Sequence, residues 1–242
     1  MILAGGLGTR LNPYTFFVPK PMLPLGNKPV LEHIIEWIKE SKEIDSVVLS
    51  VSYLHKFIEN YFEDGKNFGI SIKYAITERP MGTAGQLKAA EKLLPVKDKF
   101  VCLSSDHIYN FSLDKMVSEH SRSKAFASMA LLPYKEILSK GFIDIRTDTK
   151  AKENNDGHIT GWNKNKKVKG LINIGCYVFE HEFLHCIPRS EVFPMNIALR
   201  KIIHEQKRPV KGFIVDQEFI DIGDKQSYLR AFSKYLQRYR DG

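Results

Sequence analysis

The sequence predicts an α/β protein with a Rossmann-like, doubly wound sheet that is mixed but mainly parallel, together with a small β-rich lid. In the first half of the chain, short apolar runs of strand length alternate with segments that have apolar residues at helical spacing. Such alternation is typical of parallel βαβ units. In the second half, strand-like runs follow one another with fewer helices between them. We therefore expect the later strands to form a lid over the sheet.

Strands and helices are predicted in alternating order along the first half. Val47–Val51 is rich in β-branched residues and predicts a buried strand, whereas the apolar residues of Val30–Ile38 lie on one face of a helix. The other predicted elements are strands at Met1–Ala4, Ile70–Ala75 and Phe100–Ser104, and helices at Tyr53–Phe62 and Ala84–Leu94.

The second half has weaker periodicity and a polar, glycine-containing turn around Asn154–Gly157. The sequence contains neither a Pro- or Ser-rich linker nor an internal repeat, which predicts a single domain over residues 1–242 without a C-terminal β-helix domain. The predicted strands are Ala127–Leu132, Phe142–Arg146, His158–Trp162, Leu171–Phe179 and Val210–Val215, and the predicted helices are Glu182–Cys186, Asn196–His204 and Lys225–Tyr239.

The composition limits the classes of protein to which the chain can belong. Hydrophobic residues make up 43% and charged residues 26% of the 242 residues, as in an ordinary globular protein. No apolar stretch approaches the roughly 20 residues that span a bilayer, and no basic leader precedes an apolar core. Cys102, Cys176 and Cys186 lack metal-ligand spacing. We expect a cytoplasmic protein with reduced thiols and no membrane partner.

The formal net charge of +8 raises the question of nucleic-acid binding. The densest basic cluster is formed by Lys164, Lys166, Lys167 and Lys169, and no aromatic residues are interleaved with it as in proteins that bind single strands. Small polyanionic substrates and solvated surface lysines account for the excess charge. We therefore expect no nucleic-acid partner.

The N-terminal segment carries the strongest functional signal. The apolar run Met1–Ala4 leads into Gly5-Gly6-Leu7-Gly8-Thr9-Arg10-Leu11, and Pro19-Lys20-Pro21 follows. Glycines in a turn let backbone N–H groups approach phosphate oxygens, and Arg10 and Lys20 add positive charge. The spacing fits neither the P-loop nor the dinucleotide-binding fingerprint, because Leu11 stands at the last glycine of the latter. The segment predicts a triphosphate-binding turn of a different kind.

Two aspartates are candidates for a metal site. Asp106 follows the apolar run Phe100–Ser104, at the sheet edge where ligands bind in open parallel sheets. Asp221 lies within the apolar run Phe219-Ile220-Asp221-Ile222, where an unpaired carboxylate is costly. On residue context alone, a strand-end cap at Asp106 and a helix N-terminal partner at Asp221 are equally good interpretations.

The N-terminal block, with Pro19-Lys20-Pro21-Met22 and Asn27-Lys28-Pro29, resembles the sugar-1-phosphate nucleotidylyltransferases, or NDP-sugar pyrophosphorylases. The resemblance implies the nucleotide-diphospho-sugar transferase fold, with an NTP and a sugar 1-phosphate as substrates and pyrophosphate as the leaving group. It also implies Mg²⁺ held by Asp106 and Asp221, and catalysis by Arg10, Lys20 and Lys164. The implied nucleotide-binding residues are Leu3, Ala4, Gly5, Gly6, Gly8, Thr9, Arg10, Lys20, Gly82, Ser104 and Asp106.

Two further segments indicate the base of the nucleotide and the sugar of the sugar phosphate. Gly82-Thr83-Ala84-Gly85 is most similar to the base-contacting loop of the mannose-1-phosphate guanylyltransferases, which implies GTP and mannose 1-phosphate. In place of the family's Glu-Lys-Pro the chain has Asn163-Lys164-Asn165, and Arg189 stands where many relatives have an acidic residue. These departures keep a heptose or deoxysugar phosphate open. The implied sugar-binding residues are Gly141, Asn163, Lys164 and Asn173.

Other interpretations also stay open at this stage. One is a thymidylyl- or uridylyltransferase that acts on glucose 1-phosphate. Another is a catalytically silent paralogue that binds a nucleotide-sugar and regulates an active partner, although the presence of all the implied catalytic and metal-binding residues argues against it. The apolar helix faces are compatible with a monomer or with a homo-oligomer.

Overall fold

Strands and helices alternate through the first half of the chain. The computed structural model describes residues 1–96, 98–134, 149–153, 157–164, 170–189, 191–217 and 220–240. The strands are β1 (Ile2–Leu3), β2 (Pro24–Leu25), β3 (Lys28–Pro29), β4 (Ser46–Val51), β5 (Ser71–Ile76), β6 (Phe100–Ser104), β7 (His107–Ile108), β8 (Ala127–Tyr134), β9 (Thr149–Glu153), β10 (Ile159–Lys164), β11 (Gly170–Phe179), β12 (Val210–Ile214) and β13 (Ile220–Asp221). The α-helices are α1 (Val30–Lys39), α2 (His55–Phe62), α3 (Gly82–Ala89), α4 (Leu113–Ser123), α5 (Met195–Arg200) and α6 (Lys225–Arg240).

The short strand β1 lies in the middle of the sheet. It pairs in parallel with β4 on one side and β6 on the other, so that Ile2 is opposite Leu49 and Leu103. Strand β5 continues the parallel part beyond β4. These strands are apolar along their length because both faces of a parallel sheet are buried. The predicted doubly wound α/β fold is confirmed.

Helices cover both faces of this sheet, because successive strand residues point to opposite sides. Ile2 and Leu49 pack on the face covered by α1, α2, α4 and α6. Leu3 and Val48 pack on the opposite face, against α3 and α5. The carboxyl ends of β1 and β6 therefore open at one edge between two helical layers, which is the position of ligand sites in such sheets.

The second half of the chain extends the same sheet. Strand β11 pairs antiparallel with β6 and β8, and β12 pairs in parallel with β8. The antiparallel hairpin β9–β10 attaches to the first residues of β11 and forms a small β-rich addition at that end. Strands β8, β11 and β12 thus continue the sheet, whereas they were expected to lie over it.

Some predicted element boundaries differ from the structure. The helix predicted at Tyr53–Phe62 begins at His55, because Leu54 has a left-handed φ of 54°. The helix predicted at Ala84–Leu94 is divided into α3 and a short 3₁₀ turn at Glu91–Leu93. Helix α4 and strand β9 were not predicted. The predicted strand Phe142–Arg146 lies outside the described residues.

A buried polar cluster joins α4 to the antiparallel part of the sheet. His120 Nδ1 lies 2.8 Å from Ser128 Oγ, and His120 Nε2 lies 3.0 Å from Glu180 Oε1. The hydrogen-bonded arrangement of a serine, a histidine and a glutamate resembles a hydrolase triad. His120 and Ser128 are only 1% exposed, however, so a substrate cannot reach the hydroxyl. The cluster therefore satisfies buried polar groups.

Among the described residues, no helix is long and apolar enough to cross a bilayer.

Candidate nucleotide and metal site

The glycine-rich turn after β1 is held by two hydrogen bonds and by the left-handed backbone conformation of Gly8. Gly8 has a left-handed φ of +64°, and a Cβ there would lie 2.9 Å from Thr15 Cγ2. Thr15 Oγ1 in turn donates to Gly8 O at 3.0 Å. Gly5 N donates to Gln86 Oε1 at 2.9 Å. Gly6, by contrast, has open space where a Cβ would stand. The turn is fixed at Gly5 and Gly8, and its exposed backbone lies between them.

A cleft of about 260 Å³ opens above this turn, at the carboxyl ends of β1 and β6. Most of the residues predicted to bind the nucleotide line it, while Gly5 and Gly82 do not. Gly5 faces Gln86, and Gly82 packs against the backbone of Phe193. The residues that line the cleft are Leu3, Ala4, Gly6, Gly8, Thr9, Arg10, Lys20, Pro21, Thr83, Gln86, Ser104, Ser105, Asp106 and Gly223.

Lys20 and Asp106 form an ion pair within the cleft. Lys20 Nζ lies 2.5 Å from Asp106 Oδ2, and the lysine side chain is only 10% exposed. Prolines on both sides of Lys20 restrict its backbone, and the ion pair with Asp106 holds the ammonium group. Burial acts to raise the pKa of Asp106, but Lys20 and His107 outweigh it and hold that pKa well below its usual range. Asp106 is therefore ionised at neutral pH.

Asp221 is brought beside Asp106 by a two-residue strand pair. β13 pairs antiparallel with β7, which places Asp221 opposite His107, and Ile222 N donates to Asp106 O at 3.0 Å. Asp221 Oδ1 accepts a hydrogen bond from Gly223 N at 2.6 Å. Burial raises the pKa of Asp221; His107 opposes this rise, and the charge of Asp106 adds to it. A cation between the two carboxylates would offset both the burial of Asp221 and its repulsion by the charge of Asp106.

The donor atoms at this point fit a divalent cation. Asp106, His107 and Asp221 each offer one ligand atom, and the three atoms lie within 4.8 Å of one another. Two carboxylates are the usual protein ligands of Mg²⁺, which takes its remaining ligands from phosphate oxygens and water. The structure thus brings together both residues predicted to hold the metal.

The residues predicted to bind the sugar are only partly described. Asn173, on β11, accepts a hydrogen bond from Gly175 N at 2.9 Å and donates one to Tyr177 Oη at 2.6 Å. Gly175, at the irregularity in the middle of β11, has a φ of +73°, and a Cβ there would collide with Oγ of Ser104, which lines the cleft. Asn163 and Lys164 lie on β10, but their side chains, like the whole of Gly141, are outside the described residues.

Comparison with known proteins decides the family. The nucleotidyl transferase family model matches residues 1–238. The chain belongs to the nucleotidyl transferase family. It is 36% identical, over 239 residues, to a D-glycero-α-D-manno-heptose 1-phosphate guanylyltransferase from Aneurinibacillus thermoaerophilus, with 99% of this chain and 98% of that protein covered. The resemblance predicted from the N-terminal block is confirmed.

Two further proteins are similar to this chain. A UTP–glucose-1-phosphate uridylyltransferase from Synechocystis is 30% identical over 252 residues, which cover 98% of this chain and 63% of that protein. The solved structure of a UDP-glucose pyrophosphorylase from Acinetobacter baumannii has a TM-score of 0.77 at 19% identity, with 97% of this chain and 91% of that chain covered. This structural similarity confirms the fold.

Several cleft residues of this nucleotidyl transferase were not predicted as site residues. Thr83 and Gln86 follow the predicted Gly82 on α3, and Ser105 donates through its hydroxyl to Leu3 O at 2.7 Å. Gln86 was visible as a polar residue in the base-loop segment, but its bond to Gly5 connects positions 81 residues apart. His107 follows Asp106 directly and carries no motif of its own.

Gly8 and Gly6 offer a matched pair of substitutions in the turn. We expect Gly8→Ala to lower the free energy of unfolding by about 1–2 kcal/mol, since an L-residue is strained at its φ of +64°. Gly6→Ala should change that free energy by less than about 0.5 kcal/mol, because its Cβ enters open space. Urea denaturation of both variants measures the difference. Equal stability of the two variants would contradict the strain assigned to Gly8.

Proposed function

We propose that the protein transfers a guanylyl group from GTP to a sugar 1-phosphate of manno configuration, with release of pyrophosphate. The observation that carries the proposal is the cleft in which the glycine-rich turn, Arg10, Lys20 and Asp106 meet, with Asp221 beside Asp106. Backbone N–H groups, two cationic side chains and two carboxylates form an environment for a triphosphate with its metal ion. Family membership supplies the reaction class.

The proposed chemistry depends on positioning and charge. An oxygen of the sugar phosphate attacks the α-phosphorus of GTP, the bond to the β-phosphate oxygen breaks, and pyrophosphate carries away the electron pair. No covalent protein intermediate is needed, so cations matter more than a general base. A divalent ion held by Asp106 and Asp221 would neutralise charge on the phosphate oxygens. We assign the same task to Lys20 near the α-phosphate and to Arg10 on the pyrophosphate.

The ion pair with Asp106 holds Lys20 in place for this role. Its ammonium group forms an ion pair with Asp106 Oδ2 inside the cleft and is largely shielded from solvent. The same carboxylate is one of the proposed metal ligands, so the incoming nucleotide would meet lysine and metal side by side. A preorganised cation costs little reorganisation during the reaction. This arrangement supports Lys20 as the central catalytic cation.

The choice of GTP rests on the relatives and on one loop. The full-length relative from Aneurinibacillus is named a guanylyltransferase. The loop Gly82-Thr83-Ala84-Gly85 is fixed against the segment before α5: Ala84 N and Gly85 N donate to Phe193 O at 2.9 and 3.0 Å, and Met195 N donates to Thr83 Oγ1 at 2.8 Å. These hydrogen bonds fix the position of Thr83, which lines the cleft. UTP is the alternative, as in the Synechocystis relative.

The acceptor that we propose first is a D-glycero-α-D-manno-heptose 1-phosphate, with mannose 1-phosphate second. The named acceptor of the Aneurinibacillus relative favours the heptose, and that relative matches this chain over almost its entire length. The departures from the family pattern at Asn163, Asn165 and Arg189 fit a changed sugar. Asn173 accepts a hydrogen bond from Gly175, which packs against the cleft residue Ser104, and we assign sugar contacts to Asn173, Gly141, Asn163 and Lys164.

The setting of this activity is also part of the proposal. We place the enzyme in the cytoplasm, as a single catalytic domain that uses Mg²⁺ or a similar divalent ion. The free thiols of Cys102, Cys176 and Cys186 fit a reducing compartment.

Pyrophosphate release tests the proposed function directly. GTP, UTP, dTTP and CTP would each be combined with heptose, mannose and glucose 1-phosphates in the presence of Mg²⁺. We expect turnover with GTP and the heptose phosphate, and weaker turnover with mannose 1-phosphate. A productive pair with another base would correct the specificity and keep the reaction. Tight binding of an NDP-sugar with no release from any pair would replace the enzyme by a regulatory paralogue.

Lys20→Met should lower kcat by about 10²–10³-fold, because it removes a preorganised positive charge at the reacting phosphate. The variant keeps the length of the side chain, so the fold should be retained. Lys56→Met is the matched control, since Lys56 pairs with Glu59 at the surface with 73% of its side chain exposed. Steady-state kinetics and circular dichroism of both variants are the measurements. Near-normal kcat in Lys20→Met would remove this residue from the mechanism.

Tyr177 positions Asn173, so Tyr177→Phe should affect the sugar and not the nucleotide. Loss of the 2.6 Å hydrogen bond leaves the amide group of Asn173 without that partner. The net value of such a bond is about 1 kcal/mol, which corresponds to an increase of about fivefold in KM for the sugar phosphate.

The KM for GTP and kcat should stay within about twofold in Tyr177→Phe. Tyr74→Phe serves as the control, because Tyr74 donates to Glu63 O at 2.7 Å on the edge strand β5, away from the cleft. Equal changes in both KM values would indicate a general structural effect and contradict the positioning role.

A further inference from the structure

We propose that His107 is a third protein ligand of the divalent cation and that its nitrogen makes the site prefer Mn²⁺ to Mg²⁺. The inference rests on the proposed function in one respect: it places a cation between Asp106 and Asp221. It goes further in assigning an imidazole ligand and a metal preference, neither of which follows from the reaction class.

The backbone brings His107 to the carboxylates. His107 lies on β7 and Asp221 on β13, and the antiparallel pairing of these strands sets the two residues directly opposite each other. Cβ atoms of such cross-strand pairs are about 4.5–5.5 Å apart, so their side chains project side by side. Asp106 precedes His107, and its carbonyl accepts the hydrogen bond from Ile222 N at 3.0 Å. All three side chains are thus anchored to one small strand pair.

The imidazole ring lies between the two carboxylates. His107 Nδ1 is 3.4 Å from Asp106 Oδ1, and Nε2 is 3.8 Å from Asp221 Oδ1. Nδ1 is buried, and it packs 3.2 Å from the position of a Cβ at Gly175. The ring therefore has its Nδ1 edge against Gly175 in β11 and its Nε2 edge toward Asp221. We assign Nε2 as the ligand atom.

The oxygens of Asp106 are divided between two tasks. Oδ2 accepts the 2.5 Å bond from Lys20, whereas Oδ1 faces the histidine. Oδ1 is therefore the oxygen that lies on the side of the three-residue cluster. Lys20 and a cation bound at the cluster would occupy different oxygens of the same carboxylate. The ion pair and the metal site can thus exist together.

The separations suit a small divalent ion. At bond lengths of about 2.0–2.1 Å, neighbouring ligands of an octahedral ion are about 3 Å apart and opposite ligands about 4 Å apart. The 3.8 Å between His107 Nε2 and Asp221 Oδ1 falls within this range, and the 4.8 Å limit on the three ligand atoms is slightly longer. Small side-chain rotations would close the remaining gap.

The ligand set determines the expected metal preference. Mg²⁺ is bound by oxygen ligands and keeps its waters, whereas imidazole nitrogen favours first-row transition ions. A site with two carboxylates and one imidazole should therefore favour Mn²⁺ over Mg²⁺ more than a site with two carboxylates alone. The competing interpretation makes His107 a positioning residue that bridges the two carboxylates and never contacts the metal.

Electron spin-echo measurements on Mn²⁺ distinguish these two roles without any turnover. The intact protein is loaded with Mn²⁺ alone and with Mn²⁺ plus pyrophosphate, neither of which contains nitrogen. We expect strong ¹⁴N modulation from a directly bound imidazole in the wild-type protein. The modulation should disappear in His107→Ala and persist in His185→Ala, in which an exposed histidine is removed instead.

Metal affinities provide the second readout. Calorimetric titration of wild-type protein and His107→Ala with Mn²⁺ and with Mg²⁺ should show a ratio of affinities, Mn²⁺ over Mg²⁺, that falls about tenfold in the variant. His107→Gln replaces the alanine variant if thermal denaturation shows that the latter is unfolded.

Two results would overturn the proposal: wild-type Mn²⁺ spectra without imidazole coupling, or no Mn²⁺ binding in either condition. Because the spectra and titrations need no substrate, they leave the proposed transfer reaction untested. Conversely, a protein that binds Mn²⁺ through His107 but releases no pyrophosphate from any substrate pair would retain this ligand and lose the proposed function.

Discussion

The site depends on the parallel pairing of the two-residue strand β1 with β4 and β6. Leu103 N donates to Met1 O at 2.9 Å, and Ala4 N donates to Ser50 O at 2.8 Å, so β1 is fixed from both sides. Ser105 adds a hydrogen bond to Leu3 O at the point where the strands end. Because neighbouring parallel strands end at the same edge, the glycine-rich turn and Asp106 meet there. The cleft is a consequence of this register.

The balance of charged side chains at this edge of the sheet determines which ligands it can bind. Two carboxylates in a partly buried place repel each other, and the protein offsets this with Lys20 on Asp106 and His107 between both aspartates. In the proposed function, the same negative pair would bind a divalent cation, and that cation would attract phosphate. Arg10, Gly6 and Gly8 line the same cleft. Acidic and basic groups are thus arranged so that a metal–triphosphate complex satisfies both.

The sequence was sufficient where a motif follows an apolar strand. The turn after β1 and Asp106 after β6 could be placed because their strands are continuous apolar runs. Helix α4 was missed although its signals were present: Ser112 caps the helix, and Leu113, Met116, Val117 and His120 are buried at helical spacing. Charged residues between them lowered the apolar signal. Strand β9 (Thr149–Glu153) is polar, so its sequence contained no alternation to detect.

The pairing of β7 with β13 could not be predicted from the sequence, for a physical reason. Two-residue strands have no periodicity, and their partner is chosen by the folded backbone around them. Yet this pair sets His107 opposite Asp221 and gives the acidic cluster a nitrogen atom. Gly175 of β11 then packs on the ring from a third segment, since a Cβ there would lie 3.2 Å from His107 Nδ1. The chemistry of the edge is therefore refined by residues that are distant in sequence and lack a motif, whereas the motif residues set its general class.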